Sequence, residues 1–172
     1  MPAQIRTGPF DIALALRLTE PAGTLGGLAT ELGVVPSQVH AAIGRLSVAG
    51  LLRPGARGTN ARALLEFLTH GVRFVFPAPK GVLVCGIPTA YSAPPLSSEI
   101  DPVDVVVWPA PLHPAAVQGF SLAPLYRAAH GLVDRSPATY RLLAIADALR
   151  LEDPGVRAIA HARLAQLLGV RG

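Results

Sequence analysis

Four side chains within residues 37–45 carry groups that can read another molecule by hydrogen bonding: Ser37, Gln38, His40 and Arg45. A hydroxyl, a carboxamide, an imidazole and a guanidinium together supply both donors and acceptors. Between them stand Ala41 and Gly44, small enough to let a backbone approach a surface closely. At 100° per residue, Ser37, His40, Ala41 and Gly44 form one side of a helix, with Gln38 and Arg45 on its flank. Val39, Ala42, Ile43 and Leu46 form the opposite, apolar side. A helix with that outer side has the chemistry to meet base edges in a DNA major groove. The competing arrangement is an ordinary amphipathic hairpin whose outer side faces water.

The elements that would position this helix are legible on either side of it. Leu25, Leu28 and Leu32 repeat at i, i+3, i+7 and predict a preceding helix, with Thr24 as its N-cap. Gly33 ends that helix, and Pro36 suits the first turn of the next. Two short helices joined by a tight turn, the second with an outward polar face, are the sequence form of a helix-turn-helix. FDIALALRLT (10–19) predicts a helix before them.

The stretch LATELGVVPSQVHAAIGRLSVAGLL resembles the winged helix-turn-helix regulators of bacteria, broadly of the MarR-like kind. Leu28, Ala29, Leu32, Gly33, Ser37, Val39, Ile43, Arg45, Leu46, Gly50 and Leu51 carry the resemblance, which extends over roughly residues 8–90. It implies a three-helix DNA-reading head followed by a β-hairpin wing. One position differs. Such regulators have Ser or Thr capping the recognition helix, and this chain has Val35, so Ser37 or water must serve the first free N–H groups.

Beyond that helix, Gly50-Leu51-Leu52 would begin the first wing strand, and RPGARGTN (53–60) is an arginine-bearing loop. Asn60 can cap a helix over ARALLEFLTH, ending at Gly71. RFVF (73–76) alternates like a strand, PAPKG (77–81) reads as a turn, and VLVCGI (82–87) as the partner strand. This predicts a wing with Lys80 at its tip, facing either phosphate or solvent. At least one of Arg53, Arg57 and Arg62 is expected on phosphate. The DNA-contacting set is then Ser37, Gln38, His40, Ala41, Arg45, Arg53, Arg57, Arg62 and Lys80.

Charge placement supports that set. The chain has 172 residues and a net charge of +4. Eight basic and four acidic groups lie in residues 1–90, and seven of each in 91–172, so the whole excess falls on the first half. Phosphate neutralisation by Lys and Arg drives non-specific DNA binding.

The passage 87–102, IPTAYSAPPLSSEIDP, is the best candidate boundary, dividing a 1–90 head from a 91–172 appendage. DVVVWP (104–109) reads as a strand, with Trp108 in a core or interface, and VQGFSL (117–122) as its hairpin partner. APLYRAAHGLV (123–133) predicts a short helix. Helices starting at Pro137 and Pro154 follow. The passage, the strand and the helical tail together resemble parts of other bacterial winged-helix proteins, which bears on fold alone. The expected class is α+β: an N-terminal winged helix-turn-helix followed by a β-hairpin and a helical C-terminal region. LLAIADALRL carries more apolar residues than one buried stripe needs. This suggests homodimerisation or a protein partner through 91–172, with simple covering of the VVVW strand as the rival.

Other chemistries find little footing. His40, His70, His113, His130 and His161 are widely spaced and Cys85 is the only cysteine, so no metal is expected. GARGTN lacks the lysine and serine of a phosphate-binding loop, and no cofactor is expected. Ser121, His130 and Asp134 could be imagined as a nucleophilic trio, and Glu99, Asp101 and Asp104 as an acid cluster, but no spacing makes either converge. His130 fits better at the end of the 123–133 helix. No catalysis is expected. The single cysteine, the lack of a long apolar run and of a basic-then-apolar leader predict a cytoplasmic protein without a membrane span. The functional expectation is a homodimeric repressor reading double-stranded DNA. The alternative is an antitoxin-like interaction module that neutralises a partner and regulates its own operon.

Overall fold

A computed structural model describes residues 6–101 and 104–170. Among these residues it has an α+β architecture of eight α-helices and one three-stranded sheet. No helix is long and apolar enough to cross a membrane.

Helix α1, Pro9–Arg17, starts with a proline, and the Asp11 carboxylate accepts the Gly8 N–H at 2.8 Å. Every residue from Phe10 to Leu16 is buried, so α1 runs through the molecule rather than along its surface. Helix α2, Leu25–Leu32, is capped by Thr24, whose hydroxyl accepts the Gly27 N–H at 3.0 Å. It ends at Gly33, which takes φ 68°, a conformation open to glycine at no steric cost. Helix α3, Pro36–Val48, starts with no side-chain cap at Val35. Ser37 does not supply one. Helix α4, Ala61–His70, is capped by Asn60, which accepts from the Ala63 N–H at 3.3 Å.

After α4 the chain departs from expectation. Residues 73–76 are not a strand: Val72–Val75 is a single helical turn, α5. Val72 and Phe76 stand at i and i+4, a spacing that one helical face satisfies as well as strand alternation does. Packing decides for the helix. Val72 is buried, Phe76 meets Phe67 edge-on with centroids 6.4 Å apart, and the Phe76 carbonyl accepts from Arg150 at 2.8 Å. With no strand at 73–76, no hairpin carries Lys80 at its tip.

Strand β1, Leu83–Pro88, pairs elsewhere. Its first half lies antiparallel to β3, Val117–Ser121, and its second half antiparallel to β2, Val106–Pro109. Strands β2 and β3 then close on each other in parallel, not as the expected hairpin. Gly86 is where β1 changes partner. A Cβ there would lie 2.0 Å from the Trp108 carbonyl oxygen, so the small closed sheet needs a glycine at that point.

Residues 123–133 are not one helix. A 3-10 turn at Ala129–Gly131 leads into α6, Leu132–Arg135. The Arg135 guanidinium lies against Gly131, where a Cβ would meet Nη1 at 2.2 Å. Helices α7, Pro137–Arg150, and α8, Pro154–Leu167, both open on their prolines, and Asp153 caps α8.

One buried cluster runs from Phe10 to Leu164, and Ile87, Ala90, Ala93 and Leu96 within the proline-rich passage belong to it. Helix α7 is its spine. Asp147, wholly buried, accepts from the Thr89 hydroxyl at 2.8 Å, the Trp108 indole at 2.6 Å and Arg150 at 2.5 Å. Burial pushes its carboxyl up, against the pull of Arg150 and the two neutral donors. Leu142, Leu143, Ile145, Leu149 and Leu151 are all buried within the single chain. The apolar surplus of α7 therefore needs no second copy to explain it.

Candidate nucleic-acid interface

Helix α3 buries Val39, Ala42 and Leu46 against α1 and α2. That seating turns Ser37, Gln38, His40, Ala41 and Gly44 outward, and all five are exposed. No side-chain hydrogen bond or ion pair engages Ser37, Gln38 or His40 among the described residues. A Cβ built on Gly44 would meet nothing within 4 Å. The face is thus polar, uncommitted and low in relief at its centre.

Beside the C-terminal end of α3, residues 53–58 form a tight projection. Leu52 and Thr59 are bridged across its base, and the Arg53 N–H bonds the Gly58 carbonyl at 2.8 Å. Gly55 at the tip has φ 70°. Thr59 is buried and donates its hydroxyl to the Ala15 carbonyl at 2.5 Å, pinning the base to α1. Asn60 donates to the Gly50 carbonyl at 3.3 Å. A groove of about 610 Å³ lies between Ser47 and Gly50 on one side and Arg53–Arg57 on the other. Arg57 is exposed, Arg53 is exposed with its Nε on the Thr59 carbonyl at 3.2 Å, and Arg62 is 82% exposed, 3.9 Å from Glu66. An ion pair that loose and wet leaves Arg62 available to phosphate.

Two of the expected contacts are engaged elsewhere. Arg45 is held in a two-pronged bridge to Asp11, with Nε–Oδ2 at 2.7 Å and Nη2–Oδ1 at 2.6 Å. Asp11 is 0% exposed, so the guanidinium is its counter-charge, and the bond holds the Arg45 pKa above its usual value. Arg45 is therefore committed to the α1–α3 junction rather than presented to a base. Lys80 is 2.9 Å from the Tyr91 hydroxyl and 2.9 Å from Asp104 Oδ2. Tyr91 in turn donates to Asp104. Burial alone would lower the Lys80 ammonium, but its bonds to Tyr91 and Asp104 raise it overall. Burial would likewise raise Asp104, and the bonds from Tyr91 and Lys80 hold it low. Burial and Asp104 push the Tyr91 phenol up.

Most of the other chemical candidates have partners of their own. Asp134 lies 3.5 Å from His113 Nε2, whereas His130 Nδ1 is 3.1 Å from the Arg127 carbonyl and its ring stands edge-on to Trp108. Glu99 pairs with Arg163 at 2.5 Å, whereas Asp101 and Asp104 line one cavity together. Among the described residues no three His, Cys, Asp or Glu side chains are placed to hold a metal ion.

Two buried carboxylates, Asp11 and Asp147, had a signal in the sequence. Asp11 is the only acid in the apolar run FDIALAL, and a buried carboxylate requires a cation. Asp147 and Arg150 stand at i, i+3 within an apolar helix in the same way. The Lys80–Tyr91–Asp104 cluster had none, because its members come from three separate segments. No protein-family model, curated protein or solved structure matches this chain.

Proposed function

We propose that this protein is a transcriptional regulator that binds double-stranded DNA through α3 and the 53–58 arm, as a winged helix-turn-helix. The observation that carries the reading is the outer face of α3, where Ser37, Gln38 and His40 stand exposed and unpaired around Ala41 and Gly44. A helix about 10–12 Å across enters a major groove of about 12 Å. The arm at 53–58 takes the place of the wing expected at Lys80. With α3 in the groove, Arg53 and Arg57 lie to its flank, where phosphates run, and Arg62 extends the same basic edge. Two copies on paired half-sites would give a repressor its reach along the duplex.

Selection of bound fragments from genomic DNA, followed by fluorescence anisotropy at rising salt, tests this directly. Affinity should fall linearly on logarithmic axes. Arg57→Ala should weaken binding to every duplex and lower the salt slope by about 1. Absence of duplex binding at low ionic strength would overturn the reading.

A second reading has one observation in its favour. Leu83 and Phe120 stand directly opposite each other across β1 and β3, and both remain exposed, with Val82 beside them 75% exposed. Apolar neighbours left in water mark interaction surfaces. In this reading the chain is an antitoxin-like module whose sheet is covered by a partner protein, with DNA binding serving autoregulation. Leu83→Asp would abolish capture of such a partner and leave duplex binding intact.

A further inference from the structure

A cavity of about 640 Å³ opens on the side of the molecule where the segment before β1 meets the α7–α8 joint. Its size is that of a small-molecule site, for which about 300–1,000 Å³ is usual. Ala78, Pro79, Ile100, Leu151 and Val156 supply apolar wall, and Lys80, Tyr91 and Asp104 converge at one end. Apolar walls with a few convergent polar groups, held by three segments far apart in sequence, are the usual composition of a ligand site.

The polar groups determine which ligand fits. Asp101, Asp104, Glu152 and Asp153 line the space against one cation, Lys80. Asp104 and Lys80 satisfy each other. Asp153 is occupied in capping α8, its Oδ1 accepting from Gly155 at 2.7 Å and Val156 at 3.0 Å. Asp101 and Glu152 keep exposed carboxylates with no ion pair among the described residues. An anion would meet uncompensated negative charge here. A neutral apolar molecule would use the wall and leave the two carboxylates idle.

We infer that this cavity is a binding site for an organic cation, an ammonium or guanidinium attached to an apolar body. The apolar body lies against Leu151 and Val156, and the cationic head meets Asp101 and Glu152 at the rim. Tyr91 also lines the cavity, with Lys80 5.5 Å from its ring centroid.

The test uses the full-length protein without DNA and 4-phenylbutylammonium as the ligand, followed by calorimetry and by the ring-proton signals of Tyr91. The cation should bind and shift the Tyr91 signals, 4-phenylbutanol should bind about tenfold more weakly, and 4-phenylbutyrate more weakly still. Asp101→Asn with Glu152→Gln should cost about tenfold, since each exposed charge pair contributes up to about 1 kcal/mol. Both positions are on the surface, so the double variant should keep the parent's unfolding midpoint. Binding of the alcohol as tight as that of the amine, tighter binding of the carboxylate, or indifference to the double variant would each overturn the assignment. No shift at Tyr91 with up to 10-millimolar amine, roughly the weakest binding such a site could use, would overturn it as well. None of these outcomes bears on α3 and DNA.

Discussion

Helices α3 and α7 are nearly equal in length, 13 and 14 residues, and opposite in use of their side chains. α3 buries three residues and α7 buries eleven. The polar groups follow the same division. On α7 the buried Asp147 and Arg150 are saturated by Thr89, Trp108, the Phe76 and Ala123 carbonyls and each other. On α3 the polar groups of Ser37, Gln38 and His40 are left to solvent. A polar side chain held by several partners is part of the framework. One exposed and unpaired beside small residues is free to meet something else. Arg45 shows that the division is not simply between helices: it sits on α3, yet its bridge to Asp11 places it with the framework.

The contrast can be broken most forcefully at Arg150. Arg150→Met should destabilise the fold by about 3–5 kcal/mol, because it strands a buried carboxylate. Chemical denaturation at neutral pH measures this, and a loss below about 1 kcal/mol would remove α7 from its role as saturated spine. Arg45→Ala should cost about 2 kcal/mol, less because the guanidinium is partly exposed, and adding Asp11→Ala should recover part of the loss. If Arg45→Ala instead left stability unchanged and abolished sequence preference in DNA, Arg45 would belong with the reading face after all.

Gln38→Ala should do the reverse. Stability should stay within about 0.5 kcal/mol of the parent, while discrimination between the selected DNA site and a scrambled one should drop by about 1–3 kcal/mol. Anisotropy with both duplexes gives the comparison. The smallest effect is expected at Val35, which is 60% exposed and already holds the extended backbone of an N-cap, φ −87° and ψ 150°. Val35→Ser should raise stability by about 1 kcal/mol by satisfying an open N–H of α3. A loss of stability would mean that the valine packs in a way its exposure does not suggest.

Much of the first 70 residues was legible because its signals are local. Thr24, Gly33, Pro36 and Asn60 act within one turn of themselves, and each helix boundary they announce is where the structure has it. The outward face of α3 follows from 3.6-residue periodicity once Val39, Ala42 and Leu46 are buried. Residues 73–76 are ambiguous in sequence because four residues cannot separate a period of 2 from one helical turn, and contacts with Phe67 and Arg150 decide for the helix. The β2–β3 relation was equally hidden. Both segments look like strands, but their parallel pairing depends on β1 crossing between them at Gly86. In sequence the 53–58 arm is an arginine-bearing loop, and only its anchoring through Thr59 to Ala15 gives it a fixed projection.

By itself the sequence determined the boundaries of α2, α3 and α4, the polar side of α3 and the excess of positive charge in the first half, because each depends on local signals. Tertiary structure decided the fate of the individual charges. Arg45 and Lys80 look as free as Arg57 along the chain, yet Asp11 lies 34 positions from Arg45 and Asp104 lies 24 from Lys80. A cation is available to a partner only when no carboxylate has been folded against it, and that is set by which segments share the core.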